Sequence, residues 1–114
     1  TCALPISRVS LDSFADYNAH KAEWTADSEP VKKIARLTGA DPRDVPELLA
    51  GSTFPESQAQ LSADLLGGGT AKAIAGTAEF LKEQKRVPAV LGDYSPYVSA
   101  DFVRQAEQVQ VGQR

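Results

Sequence analysis

The stretch Lys33–Phe54, KIARLTGADPRDVPELLAGSTF, holds two helices and the extended segment that follows them. Its upstream neighbour DSEP places Ser28 at a helix start with Pro30 in the first turn, where a missing N–H is harmless. Val31, Ile34 and Ala35 then recur at helical spacing, basic residues follow, and Gly39 supplies the left-handed closing residue. A second start appears at DVPE, where Asp44 and Glu47 have the spacing of a capping box around Pro46. Leu48 and Leu49 give this short helix an apolar side, and Gly51 stops it. Ser52-Thr53-Phe54 changes character. Pro55 disfavours helix at Phe54, so the segment reads as an extended connection at the end of a helix pair.

Working toward the N-terminus, SLDSFADYNAHKAEW spaces Leu11, Phe14, Tyr17 and Trp24 near multiples of 3.5 residues. This is an amphipathic helix with an aromatic face, suited to core packing. Toward the C-terminus, SQAQLSADLL is weakly helical, and Gly67-Gly68-Gly69 reads as a flexible connection. TAKAIAGTAEFLKEQKRV is the strongest helix, with Thr70 as cap and Ile74, Ala78 and Leu81 aligned with Ala71. Lys82, Lys85 and Arg86 sit favourably at its carboxyl end, and Pro88 stops it. LGDYSPYVS is a turn-rich aromatic loop, and Ser99 caps a last helix, ADFVRQAEQV. The expectation is a mainly α chain of five to six short helices. β-branched apolar runs, which a parallel sheet requires, are missing.

The chain has 114 residues, 42% of them hydrophobic and 24% charged, with a net charge of −3. These values match a soluble globular domain and count against nucleic acid as a partner, which needs a clustered basic face. No apolar run reaches the length of a membrane span. The chain contains no methionine and one cysteine, Cys2. Thr1–Ser7, TCALPIS, lacks the basic start and long apolar stretch of a signal peptide. It reads instead as ACG-TGT-GCT-CTT-CCG-ATC-T, a sequencing-library adapter translated in frame. On that reading residues 1–7 are non-native and disordered or weakly packed, and Cys2 drops out of the chemistry. Residues 8–107 form the folded part, and residues 108–114 a frayed tail.

Catalytic constellations are missing. The single histidine, His20, lies on a polar helix face with no serine at a persuasive spacing. Gly67–Gly69 could cradle an anion before a helix, but no strand precedes it and no phosphate-loop lysine follows. Asp41, Asp44, Glu47 and Glu56 read as caps and solvated charges, and Lys32, Lys33 and Arg36 as a solubilising face. The expectation is a protein that is not an enzyme and carries no cofactor or metal.

The order of the segments resembles a known family. KIARLTGADPRDVPELLAGSTF (Lys33–Phe54) is similar to the late helical part of periplasmic taurine-binding proteins of ABC importers. KAIAGTAEFLKEQKRVPAVLGDYSPYVSADFV (Lys72–Val103) is similar to their C-terminal end, and the Tyr17–Trp24 spacing matches the preceding helix. One departure lies in KEQKRV, where relatives often have glycine at the position of Lys85, implying a less tight helix end here. The resemblance implies the C-terminal helical part of an α/β, type II periplasmic-binding fold whose earlier portion lies outside this chain. It also implies a monomeric periplasmic protein that binds taurine or another small sulfonate and hands it to an inner-membrane ABC permease. Sulfonate recognition needs backbone N–H groups and hydroxyl or cationic donors. Ser52, Thr53 and Phe54 form the one segment with such chemistry, and are the expected ligand wall. Tyr94 and Tyr97 are expected in lobe packing or on an importer-facing surface. The competing expectation is a stand-alone helical interaction module that docks a partner helix on Phe14, Tyr17 and Trp24.

Overall fold

Pro5 stands in the first turn of a helix, where its missing N–H leaves no bond unmade, and Ser7 Oγ donates to the Ala3 carbonyl at 2.8 Å. From this start, α1 runs Ala3–His20 and tightens into a 3-10 turn at Lys21–Glu23. The computed structural model describes residues 3–112, with side chains to residue 108. The remaining helices are α2 (Glu29–Thr38), α3 (Val45–Ala50), α4 (Ser57–Leu61), α5 (Gly69–Glu83) and α6 (Asp101–Gly112), with a second 3-10 turn at Ser95–Tyr97. Among the described residues there is no strand, so the mainly α expectation holds.

The chain divides into two compact units. One is Asp12–Phe54; the other joins the residues up to Leu11 with those from Pro55 onward. In the Asp12–Phe54 unit, α2 packs on α3. Val31 is fully buried, Ala35 and Val45 nearly so, and Trp24, Ile34, Ala40 and Leu49 close around them. Each valine, leucine or isoleucine fully removed from water contributes roughly 1.5–3 kcal/mol. The helical spacing read from the sequence places Val31 and Ala35 in the core and Ile34 against it. Gly39 closes α2 with φ 76°, its N–H donating to the Ala35 carbonyl.

Two of the caps work differently from expectation. Ser28 occupies the N-cap position in extended conformation, but its hydroxyl donates backward to the Thr25 carbonyl at 2.7 Å. Asp44 precedes α3 in helical conformation and makes no capping bond. The turn before α3 is organised by Asp41, whose carboxylate accepts from the Arg43 N–H at 2.9 Å and from its guanidinium at 2.7 Å. These bonds hold the Asp41 carboxyl down at about 2, well below its ordinary value.

In the other unit α4 packs on α6, and the core consists of Leu11, Val103 and Ala106 with Leu4, Leu61 and Leu66 against it. Gln58 Nε2 donates to Glu107 Oε1 at 2.6 Å, and Gln60 Nε2 to the Pro55 carbonyl at 2.8 Å. As expected, the Ser99 hydroxyl accepts from a backbone N–H at the start of α6, that of Asp101.

Four expectations need correction. Ala3–Ser7, expected to be disordered or weakly packed, is helical, with Leu4 half-buried against the Leu11 cluster and Ile6 exposed. Thr1 and Cys2 lie outside the described residues. The triple glycine is no flexible connection. Gly67 N–H donates to the Ser62 carbonyl and Gly69 N–H to the Ala63 carbonyl, each at 2.8 Å. A Cβ on Gly67 would lie 2.7 Å from the Ser62 carbonyl oxygen, and one on Gly69 would overlap that of Asp64. Glycine is required there because the backbone turns back onto itself. Consequently α5 begins at Gly69, and Thr70 is inside it rather than capping it.

The end of α5 is tight as well. Lys85 N–H donates to the Lys82 carbonyl at 2.9 Å and Arg86 N–H to the Leu81 carbonyl at 2.8 Å, the paired bonds of a Schellman motif. Lys85 takes the left-handed conformation, φ 56°, that this motif demands. Lastly, where a frayed tail was expected from Gln108, the backbone remains helical through Gly112.

Candidate functional site

Phe54 lies beyond the end of α3, outside any helix, and folds back onto the aromatic side of α1. Its ring meets Phe14 at 5.4 Å between centroids and Tyr17 edge-on at 5.0 Å. Tyr17 in turn meets Trp24 edge-on at 5.1 Å. Tilted and edge-to-face pairs of this kind contribute about 0.5–1.5 kcal/mol each beyond burial. The backbone is fastened too, with Asn18 Nδ2 donating to the Phe54 carbonyl at 2.9 Å. Phe14, Tyr17 and Trp24, which the interaction-module expectation assigns to a partner helix, thus make ring contacts within the chain.

The fold-back opens a cleft of about 440 Å³ within the Asp12–Phe54 unit. Tyr17, Asn18 and Lys21 line it on the side of α1 and its 3-10 turn, and Ala50, Ser52, Thr53 and Phe54 on the other. Thus all three residues expected at the site meet in one cavity. Ser52 Oγ makes a long contact of 3.5 Å to the Leu48 carbonyl. No hydrogen bond of the Thr53 hydroxyl is found among the described residues, so its donor is available to a guest.

Sequence reasoning missed Tyr17, Asn18 and Lys21 as cleft residues. Tyr17 falls on the aromatic face expected to pack in the core, and Lys21 carried no expectation of its own. The signal lay in the aromatic pattern itself, since a phenylalanine after a helix end must find a partner for its ring. With Lys21 the sole charged residue lining the cleft among the described residues, and the Ser52 and Thr53 hydroxyls also in its lining, the cavity has the chemistry of a weak anion receptor.

Other candidates hold less. The Tyr94 and Tyr97 rings lie 6.4 Å apart, Tyr97 is 71% exposed, and the Tyr94 hydroxyl accepts from the Leu91 N–H at 3.2 Å. Asp93 accepts from the Ser95 N–H at 2.9 Å, which pulls its carboxyl below the ordinary range. His20 Nδ1 sits 3.1 Å from Asp16 Oδ1 on an exposed face. Among the described residues no three His, Cys, Asp or Glu side chains come together to hold a metal, and no helix is long and apolar enough to cross a membrane.

No family model matches the chain. A taurine-binding periplasmic protein from Escherichia coli (strain K12) is 42% identical to it over 98 residues. The chain is a homologue of part of a periplasmic binding protein. The match takes in 86% of the chain, which spans 30% of that protein's length. Its similarity is therefore to part of a binding protein.

Proposed function

We propose that the chain is part of a periplasmic substrate-binding protein that captures taurine or a related alkanesulfonate and delivers it to an inner-membrane ABC permease. Within it, Ser52, Thr53 and Phe54 form one wall of the ligand site. The observation that carries this reading is the 42% identity to a protein described as taurine-binding. The gathering of the three residues in a cleft with hydroxyl donors and a cation supports it. A sulfonate carries one delocalised negative charge on three acceptor oxygens, and hydroxyls, N–H groups and an ammonium satisfy all three. Binding needs no cofactor, and the protein acts as a monomer beside its permease.

The test is isothermal titration calorimetry of the natural product of this gene with taurine and with longer alkanesulfonates. Saturable binding of taurine is the expected outcome. Silence at millimolar taurine, together with tight binding of another solute, would refute the assignment.

A further inference from the structure

Lys21 was no part of the expected site, yet among the described residues it is the only charged side chain that lines the cleft. It is exposed, stands in the 3-10 turn after α1, and its backbone carbonyl accepts from the Trp24 N–H at 3.2 Å. Ser52 and Thr53 bring hydroxyls to the opposite wall. Among the described residues no carboxylate joins the lining, so one sign of charge is served and the other is not. We infer that Lys21 is the charge-selecting residue of this cleft, which accepts a small organic anion by its sulfonate end and makes no use of an amine.

This rests on the reading of the chain as part of a sulfonate-binding protein and sharpens it. An ammonium two carbons from the sulfonate meets no carboxylate among the described lining residues and feels the repulsion of Lys21. The cleft therefore takes ethanesulfonate at least as well as taurine. Discrimination in favour of the amine has to come from residues other than those of this cleft. The side chain of Lys21 enters no ion pair among the described residues, so its charge is not already committed.

The experiment is a two-dimensional amide NMR titration of the 114-residue chain at low salt, with ethanesulfonate, taurine and ethylammonium in turn. Ethanesulfonate should move the Ser52, Thr53 and Phe54 amides saturably, taurine should do so no more tightly, and ethylammonium should leave them in place. Lys21→Gln should weaken the anion about fivefold, the factor for one water-screened unit charge at contact distance, and added salt should shrink that factor. Lys21→Arg should stay within about twofold of the parent, and Lys21→Glu should abolish the response. Equal binding by Lys21→Gln, a tenfold preference for taurine, or no saturable movement at these amides would each overturn the inference.

The two readings fail separately. A natural gene product that binds taurine equally well with Lys21→Gln keeps the transport reading and removes Lys21 from it. One that ignores taurine, while ethanesulfonate still enters the cleft through Lys21, removes the taurine reading and leaves the anion site.

Discussion

Replacing Lys85 by glycine tests the geometry at the end of α5. Lys85 has φ 56°, and the two bonds from Lys85 and Arg86 back to Lys82 and Leu81 hold it there. A residue with a Cβ pays roughly 1–2 kcal/mol in this left-handed region, where glycine is at ease. Against that gain, glycine adds about 0.4–1 kcal/mol of freedom to the unfolded chain. Removing a positive charge from the helix end gives back a few tenths more. The net expectation for Lys85→Gly is a stabilisation of about 0.5–1 kcal/mol, or a two- to fivefold slowing of exchange governed by local opening. Hydrogen exchange at the amides of Lys85, Arg86 and the last turn of α5 reads this directly. Lys85→Ala is the control, since it keeps the Cβ and should give no gain. If Lys85→Gly instead speeds exchange by about 1 kcal/mol, as glycine does inside a helix, then residue 85 continues the helix and the argument is wrong.

Gly69→Ala should destabilise the start of α5 by about 2–3 kcal/mol, because its Cβ would overlap the Asp64 carbonyl and neither backbone can move without losing the turn. Circular dichroism against urea measures the loss, and an unchanged midpoint would mean that the glycines do form a loose connection. Asp41 has a folded-state carboxyl depressed from 3.8 to about 2, so its turn is favoured above the unfolded value and released as pH falls through 2. An NMR pH titration should show the Arg43 amide moving with a midpoint near 2. Asp41→Asn should remove that transition, and a midpoint near 3.8 in the parent would show that the turn does not hold the carboxylate.

Much of this fold was legible from local signals. The apolar spacing of Val31 and Ala35, the proline at position 30 and the glycine at position 39 each state a preference that tertiary packing does not overrule. The glycine run was misread because composition records only that glycine is permissive. Whether the chain uses that freedom to flex or to bring two backbones together depends on atoms at Ser62 and Asp64. The same limit explains the caps. Ser28 has several carbonyls and N–H groups within reach, and only the finished turn decides that Thr25 receives its proton. At the candidate site, Ser52, Thr53 and Phe54 stood out because their run breaks a helical pattern. Lys21 did not, because nothing near it in sequence marks one lysine on a mixed helix face as facing hydroxyls thirty residues away. The division into two units also has no composition signal, since it runs through the uninterrupted helix α1.

The hydrogen bond from Asn18 to the Phe54 carbonyl has a kinetic side. It joins positions 36 residues apart, so the chain must close a long loop before that bond and the aromatic cluster begin to repay the lost freedom. The α2 and α3 pair lies inside this loop and assembles through short-range contacts, so it forms first and the clasp over it forms late. On unfolding the order reverses, and the Phe54 strap lets go before Val31 is exposed. Capture of a solute between Lys21 and Ser52 would then act as a latch, slowing the first step by which this unit comes apart.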